Sequence, residues 1–216
     1  AFGIELPLRA LFEAPSPAEL APKISAALGA PESAASIPLV RAPRVGELPL
    51  SFGEERLWFL AELRPDDPSY VLPLVMRLHG LVDRSARAGA FPALGRRHEI
   101  LRTTYQSIDG WPSRRIHDEV GFAIEVTSAG EMAEDALAAE LRRPFDLRVG
   151  PLLRARLFVL GEEDQILLVT MHHIVSDAWS MGVFSRELGA LYEAFGKARP
   201  SPLPELPIQY ADYARW

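Results

Sequence analysis

The sequence predicts an α+β sandwich preceded by a short helical segment. Two β-rich runs, LLRARLFVL (152–160) and QILLVTMHH (165–173), flank Gly161-Glu162-Glu163-Asp164 and read as an antiparallel hairpin. Helical patterns stand before and after that hairpin without the regular βαβ alternation of a doubly wound sheet. The chain also shows no internal repeat and no glycine-rich phosphate loop.

Each element has its own warrant. In EAPSPAELA (13–21), Ser16 is placed to cap a helix, Pro17 to occupy its first position and Glu19 to close a capping box. Pro22 falls inside that helix and should shorten or kink it. The stretch 29–49, GAPESAASIPLVRAPRVGELP, is rich in Pro, Ala, Ser and Gly without a period and reads as a linker. SFGEERLWFLAEL (51–63) reads as a helix, with Phe52, Leu57, Phe59, Leu60 and Leu63 around Glu54, Glu55 and Arg56. YVLPLVMRLHG (70–80) reads as a strand in which Pro73 marks a bulge or an edge. DRSARAGAFPALGRRHEIL (83–101) follows a helical pattern despite Pro92 and Gly95, and EMAEDALAAELRRPF (131–145) is a helix stopped before Pro144. After the hairpin, Phe184, Leu188, Leu191, Tyr192 and Phe195 fall at helical spacing.

Composition narrows the function. The 216 residues are 48% hydrophobic and 24% charged, enough for a sizeable core in an ordinary water-facing protein. A formal charge of −6 argues against nucleic-acid binding, which usually needs a basic face. No apolar run is long enough to span a membrane, and the N-terminus has no secretion signal. The missing initiator Met implies a piece of a longer chain. Zero cysteines exclude disulfides, thiolate catalysis and Cys-ligated metals, and fit a cytoplasmic setting.

The chemistry concentrates in MHHIVSDAWS (171–180). His172 and His173 sit at the end of an apolar strand, where successive side chains point to opposite faces. One histidine is therefore expected inward and the other toward a cleft. Asp177, at the start of the next helix, can accept backbone N–H bonds or pair with a buried arginine. A neutral imidazole so placed suits acyl transfer, taking a proton from a nucleophile or holding that nucleophile in position. The rival reading is a pair of satisfied core histidines, since a chance His-x-x-x-Asp occurs in roughly one chain in four of this length. A metal site is disfavoured because adjacent strand histidines diverge and His79, His98 and His117 lack ligand spacing. A serine triad on Ser176 or Ser180 lacks the nucleophile elbow.

The doublet has companions. MHHIVSDAWSMGV (171–183) resembles the HHxxxDG active-site motif of non-ribosomal peptide synthetase condensation domains. LSFGEERLWFL (50–60), RRHEILRTTY (96–105) and YADYARW (210–216) look like three other motifs of that family's N-terminal half, in order and at similar spacing. RRPFDLRVGPLLRARL (142–157) looks like the family's approach to its active-site strand. AFGIELPLRALFEAPSPAELA (1–21) resembles the final third of a peptidyl carrier domain, downstream of the phosphopantetheine-bearing serine, whose Gly-Gly-His-Ser-type motif is not in this chain. The resemblance divides the chain into a carrier remnant (1–28), a linker (29–45) and the N-terminal lobe of a condensation domain (46–216).

The resemblance implies a chloramphenicol-acetyltransferase-like αβ sandwich, half of a two-lobed domain whose C-terminal lobe is missing. It implies amide-bond formation between two carrier-bound thioesters in antibiotic or other secondary metabolism, with a donor of L configuration. His173 would position or deprotonate the attacking amine, or stabilise the tetrahedral intermediate. His172 would be inward and structural, and Asp177 structural, with Arg102 as its expected partner. Ala178, Trp179 and Ser180 would border the tunnel or oxyanion region, where the helix N-terminus offers backbone donors. No metal and no cofactor is expected on this chain. Its substrates would arrive on the phosphopantetheine of upstream donor and downstream acceptor carrier domains. Ala178 replaces the family's glycine, which is expected to narrow the tunnel or constrain φ. Glu54 replaces a common glutamine and reads as a solvated helix-face carboxylate. Half a tunnel should turn over little by itself, because proximity and orientation supply much of the rate. Two other classes fit the motifs: a stand-alone trimeric acyltransferase, and a non-catalytic docking lobe that recruits carrier domains.

Overall fold

The computed structural model describes residues 6–29, 38–119, 121–122, 124–128 and 133–216. Residues 30–37 of the expected linker and 131–132 of the expected helix lie outside them. The chain divides into two compact units, Ala1–Pro38 and Leu39–Trp216.

The first unit contains α1 (Leu8–Glu13) and α2 (Pro17–Gly29). The capping box forms: Glu19 N–H donates to Ser16 Oγ at 3.3 Å, and Ser16 N–H donates to the Glu19 carboxylate at 3.1 Å. The expected shortening at Pro22 does not occur, since α2 runs through it to Gly29. One missing N–H costs a single ladder bond, which the capped first turn and the stretch beyond offset.

The second unit is an α+β layer structure. It contains α3 (Phe52–Leu63), β1 (Val71–His79), α4 (Arg84–Arg97), β2 (Thr103–Ile108), β3 (Trp111–Ile116) and β4 (Ile124–Ser128). Then follow α5 (Ala133–Leu141), β5 (Leu153–Gly161), β6 (Asp164–His172), α6 (Ala178–Gly196) and α7 (Tyr210–Arg215). The main sheet has the order β1-β6-β5-β4, with β6 antiparallel to both neighbours and β4 parallel to β5; β2 and β3 form a separate hairpin. Apolar β6 therefore occupies an inner position, and Pro73 lies on the terminal strand β1.

Register explains the core. Leu153, Ala155 and Leu157 pair with Met171, Val169 and Leu167, so all six share one face. They join Phe91 and Leu94 of α4 and Phe184, Leu188 and Leu191 of α6 in one buried cluster. Each such Leu or Phe contributes about 1.5–3 kcal/mol by leaving water. Arg154, Phe158, Leu168, Thr170 and His172 point to the opposite face by the same alternation. Gly95 lets α4 approach its neighbour, because a Cβ there would lie 2.1 Å from Phe122 Cε2.

Helix α3 forms where expected but departs from the sequence reading at four positions. Phe52, Phe59 and Leu63 are exposed, whereas Glu54 is only 2% exposed. Leu57, one of the expected apolar residues, does pack against the core, together with Trp58 and Ala61.

Candidate active site

Strand β6 ends in His172, whose backbone pairs with Val71 on one side and whose N–H donates to Leu152 O on the other. Its ring is buried between Tyr70, with centroids 6.2 Å apart, and Phe145, at 6.3 Å and nearly perpendicular. Burial, and secondarily the nearby His173, push its pKa down to about 4. The neutral ring then has a use: Nδ1 accepts the Ile174 N–H at 3.1 Å and so caps the 3₁₀ turn His173–Val175.

His173 opens that turn and is exposed. The two histidines are thus separated by the turn as well as by strand alternation. His173 Nδ1 lies 2.7 Å from Ser176 O, and since a carbonyl only accepts, Nδ1 carries the hydrogen. In the neutral ring Nε2 is left as an acceptor on an exposed side chain, with no partner among the described residues. This is the arrangement a general base or an amine-positioning group requires.

Asp177 is the N-cap of α6. Its Oδ1 accepts the Ser180 N–H at 2.7 Å and the Ser180 Oγ–H at 2.6 Å. Those bonds, side chain first, hold its carboxyl below the usual range. The expected pairing with Arg102 does not form. Arg102 ends the 3₁₀ turn Glu99–Arg102, donates to His117 O, and stands 3.9 Å from Glu99. The helix start has its own need for an acceptor, and Asp177 meets it locally.

Ala178 is the first residue of α6, and positive φ among described non-glycine residues occurs only at Asp109 and Ala198. The expected φ constraint is absent, because a first helical position suits alanine. Trp179 is 82% exposed beside the turn. Of the expected oxyanion donors, the Ser180 N–H is taken by Asp177, while those of Ala178 and Trp179 have no partner among the described residues. His79, His98 and His117 lie elsewhere, against Asp164, Glu187 and Thr104.

Glu54 is a correction of a different kind. Far from solvated, it accepts from Tyr105 O–H at 2.8 Å, from Ser51 N–H at 2.7 Å, from Ser51 Oγ–H at 2.8 Å and from Arg114. Ser51 Oγ also lies 3.0 Å from the Tyr210 hydroxyl of α7. Ser51-x-x-Glu54 is a capping box, the signature already legible at Ser16–Glu19, and it marks Glu54 as a helix-start acceptor. Its Tyr105 and Arg114 partners leave no local trace.

Comparisons with known proteins give the family and the fold. The family model of the condensation domain matches residues 45–216. A linear gramicidin synthase from Brevibacillus parabrevis has a polypeptide that is 42% identical over 224 aligned residues, covering 100% of this chain and 3% of that protein. The X-domain solved in complex with OxyB from teicoplanin biosynthesis superposes with a TM-score of 0.78 at 34% identity, over 85% of this chain and 41% of that one. The starter condensation domain of rhizomide synthetase shares the fold at 18% identity, with a TM-score of 0.71 over 79% of this chain and 43% of that one. The chain thus spans a small part of its long relatives and about two fifths of the solved domains.

Proposed function

Because the chain belongs to the condensation-domain family, we propose that Leu39–Trp216 supplies the histidine-bearing lobe of an amide-forming acyltransferase. The amine of one carrier-bound aminoacyl group attacks the thioester carbonyl of another, and the thiolate of the donor phosphopantetheine leaves. His173 is the catalytic residue, its Nε2 accepting from the attacking amine. His172 and Asp177 hold the turn and helix on either side of it. The backbone N–H groups of Ala178 and Trp179 are donors available to the developing oxyanion. Residues 1–28 are read as a carrier-domain remnant and 29–45 as a linker, supported by an alignment to the gramicidin synthase that covers the whole chain. Substrates come on the phosphopantetheine of upstream and downstream carrier domains, with a donor of L configuration.

The observation carrying this reading is the exposed His173 ring, whose Nδ1–H bond to Ser176 O leaves the Nε2 lone pair unpartnered among the described residues. The test joins residues 1–216 to a second lobe from the family and supplies donor and acceptor carriers loaded with labelled aminoacyl thioesters. Intact mass follows the dipeptidyl thioester. His173→Ala is expected to reduce its rate by about 10²–10⁴-fold while the protein stays folded. Residues 1–216 alone are expected to give little product, since one lobe orients substrates poorly. Equal rates with and without His173 would remove it from the chemistry.

A second reading is a docking lobe that recruits partners without catalysis. The 34% identical X-domain, solved as a complex with OxyB, favours it. Absence of product from both proteins, with carrier binding retained, is the outcome that selects this reading.

A further inference from the structure

We propose that Phe145 and Arg154 are positioning residues for His173, acting through His172. The inference rests on the reading of His173 given above, and it assigns a physical role to the stretch Arg142–Leu157 leading into the site.

Arg154, on β5, sits on the same face of the sheet as His172. Its guanidinium fans out over the segment that follows α5: Nη1 donates to Pro144 O at 3.0 Å, Nη2 to Arg143 O at 2.6 Å, and Nε to the buried carboxylate of Glu140. These bonds pin the backbone just before Phe145. The guanidinium carbon then lies 3.7 Å from the centre of the Phe145 ring, a cation–π stack. The same ring stands nearly perpendicular to His172, with centroids 6.3 Å apart, and Tyr70 also packs against His172 at 6.2 Å. Arg154, Phe145, His172 and Tyr70 form one packed series ending at the site.

The series controls a hydrogen atom. His172 caps the turn only while Nδ1 keeps its lone pair for the Ile174 N–H. A proton on Nδ1 would set two hydrogens against each other, release the start of the turn, and leave the His173–Ser176 bond without its support. Excluding water with Phe145 keeps the ring neutral, and the neighbouring His173 pushes in the same direction. Arg154 keeps Phe145 in place.

The experiment needs no substrate. In 15N-labelled residues 1–216, long-range 1H–15N spectra report the tautomer and titration of each imidazole. The parent protein should show His172 protonated on Nε2 with a midpoint of about 4, and His173 protonated on Nδ1. Phe145→Leu admits water, and Arg154→Lys keeps the charge while losing the planar stack and fan of bonds. Both should raise the His172 midpoint by about one unit or more and convert His173 to a mixture of tautomers. Folded variants with both histidine signatures unchanged would overturn the proposal, whatever their melting temperatures. If Phe145→Leu does not fold, the milder Arg154→Lys decides. In the two-lobed protein, Arg154→Lys should lower kcat about tenfold or more with KM unchanged. Unchanged turnover in His173→Ala counts against the catalytic reading alone, because the spectra judge positioning separately.

Discussion

At Glu54 a carboxylate and the Arg114 guanidinium are both almost fully buried, with side-chain exposures of 2% and 1%. A charge so placed survives only with its partners, and here Tyr105, Ser51 and Arg114 occupy its lone pairs. Burial, and then the Glu54 charge, push the Tyr105 phenol well up, so it stays a donor. Glu54→Ala should therefore destabilise the protein by about 3–5 kcal/mol in urea unfolding, by leaving Arg114 buried and unpaired. Glu54→Gln, which keeps an acceptor, should cost less. A loss under about 1 kcal/mol for Glu54→Ala would contradict the buried pairing. The sequence displayed the cap at Ser51 and concealed the rest, because Tyr105 and Arg114 reach Glu54 only once the chain has folded. The doublet is nearer to legible: alternation predicts an inward and an outward histidine, and the structure has them so, although His173 already belongs to the 3₁₀ turn beyond the strand.

Helix α6 shows the limit at the next scale. The spacing of Phe184, Leu188 and Leu191 announces a helix with a buried face, and Asp177 announces its start; both are found. Of the two roles open to Asp177, the local one, accepting N–H at the helix start, is the one found, and the long-range pairing with Arg102 is not. Arg102 and Asp177 both belong to motifs near the site, yet Arg102 turns to the β2–β3 hairpin through His117 O, and Asp177 serves Ser180. Capping and ion pairing predict different mutants. Asp177→Ala should cost about 0.5–2 kcal/mol in thermal or urea unfolding, and Asp177→Asn only a few tenths, since asparagine caps nearly as well. An Asp177→Asn loss as large as that of Asp177→Ala would show that the charge, not the cap, is what matters.

Across the second unit, distant parts of the chain are closed on one another by Asp212 of α7. Its buried carboxylate accepts from Arg44 Nη1 at 2.6 Å, from the Ala42 N–H at 2.8 Å and from the Gln209 N–H at 2.7 Å. Arg44 also donates to Glu99 at 2.7 Å. The motif around Asp212 was recognisable by resemblance, but its closing role depends on a partner 168 positions away. The Arg44 bond, ahead of the backbone donors, holds the Asp212 carboxyl far below its ordinary 3.8. A carboxyl depressed in the folded state adds stability above its unfolded pKa, and that stability fades as pH falls through the folded value. Asp212→Asn should accordingly melt lower than the parent near pH 7, and the gap should narrow with acidification below 3.8. A gap that stays constant into strong acid would remove Asp212 from the acid response.

Strand β1 ends the sheet, and one flank of its nine residues has no neighbouring strand among those described. Such a flank is where a second chain can add itself, and a third after it, until a fibre grows. Pro73, early in the strand, has no amide hydrogen to offer an incoming neighbour. A residue first noticed as an irregularity in a β-rich run is thereby a brake on assembly, acting when many copies of the chain are crowded together.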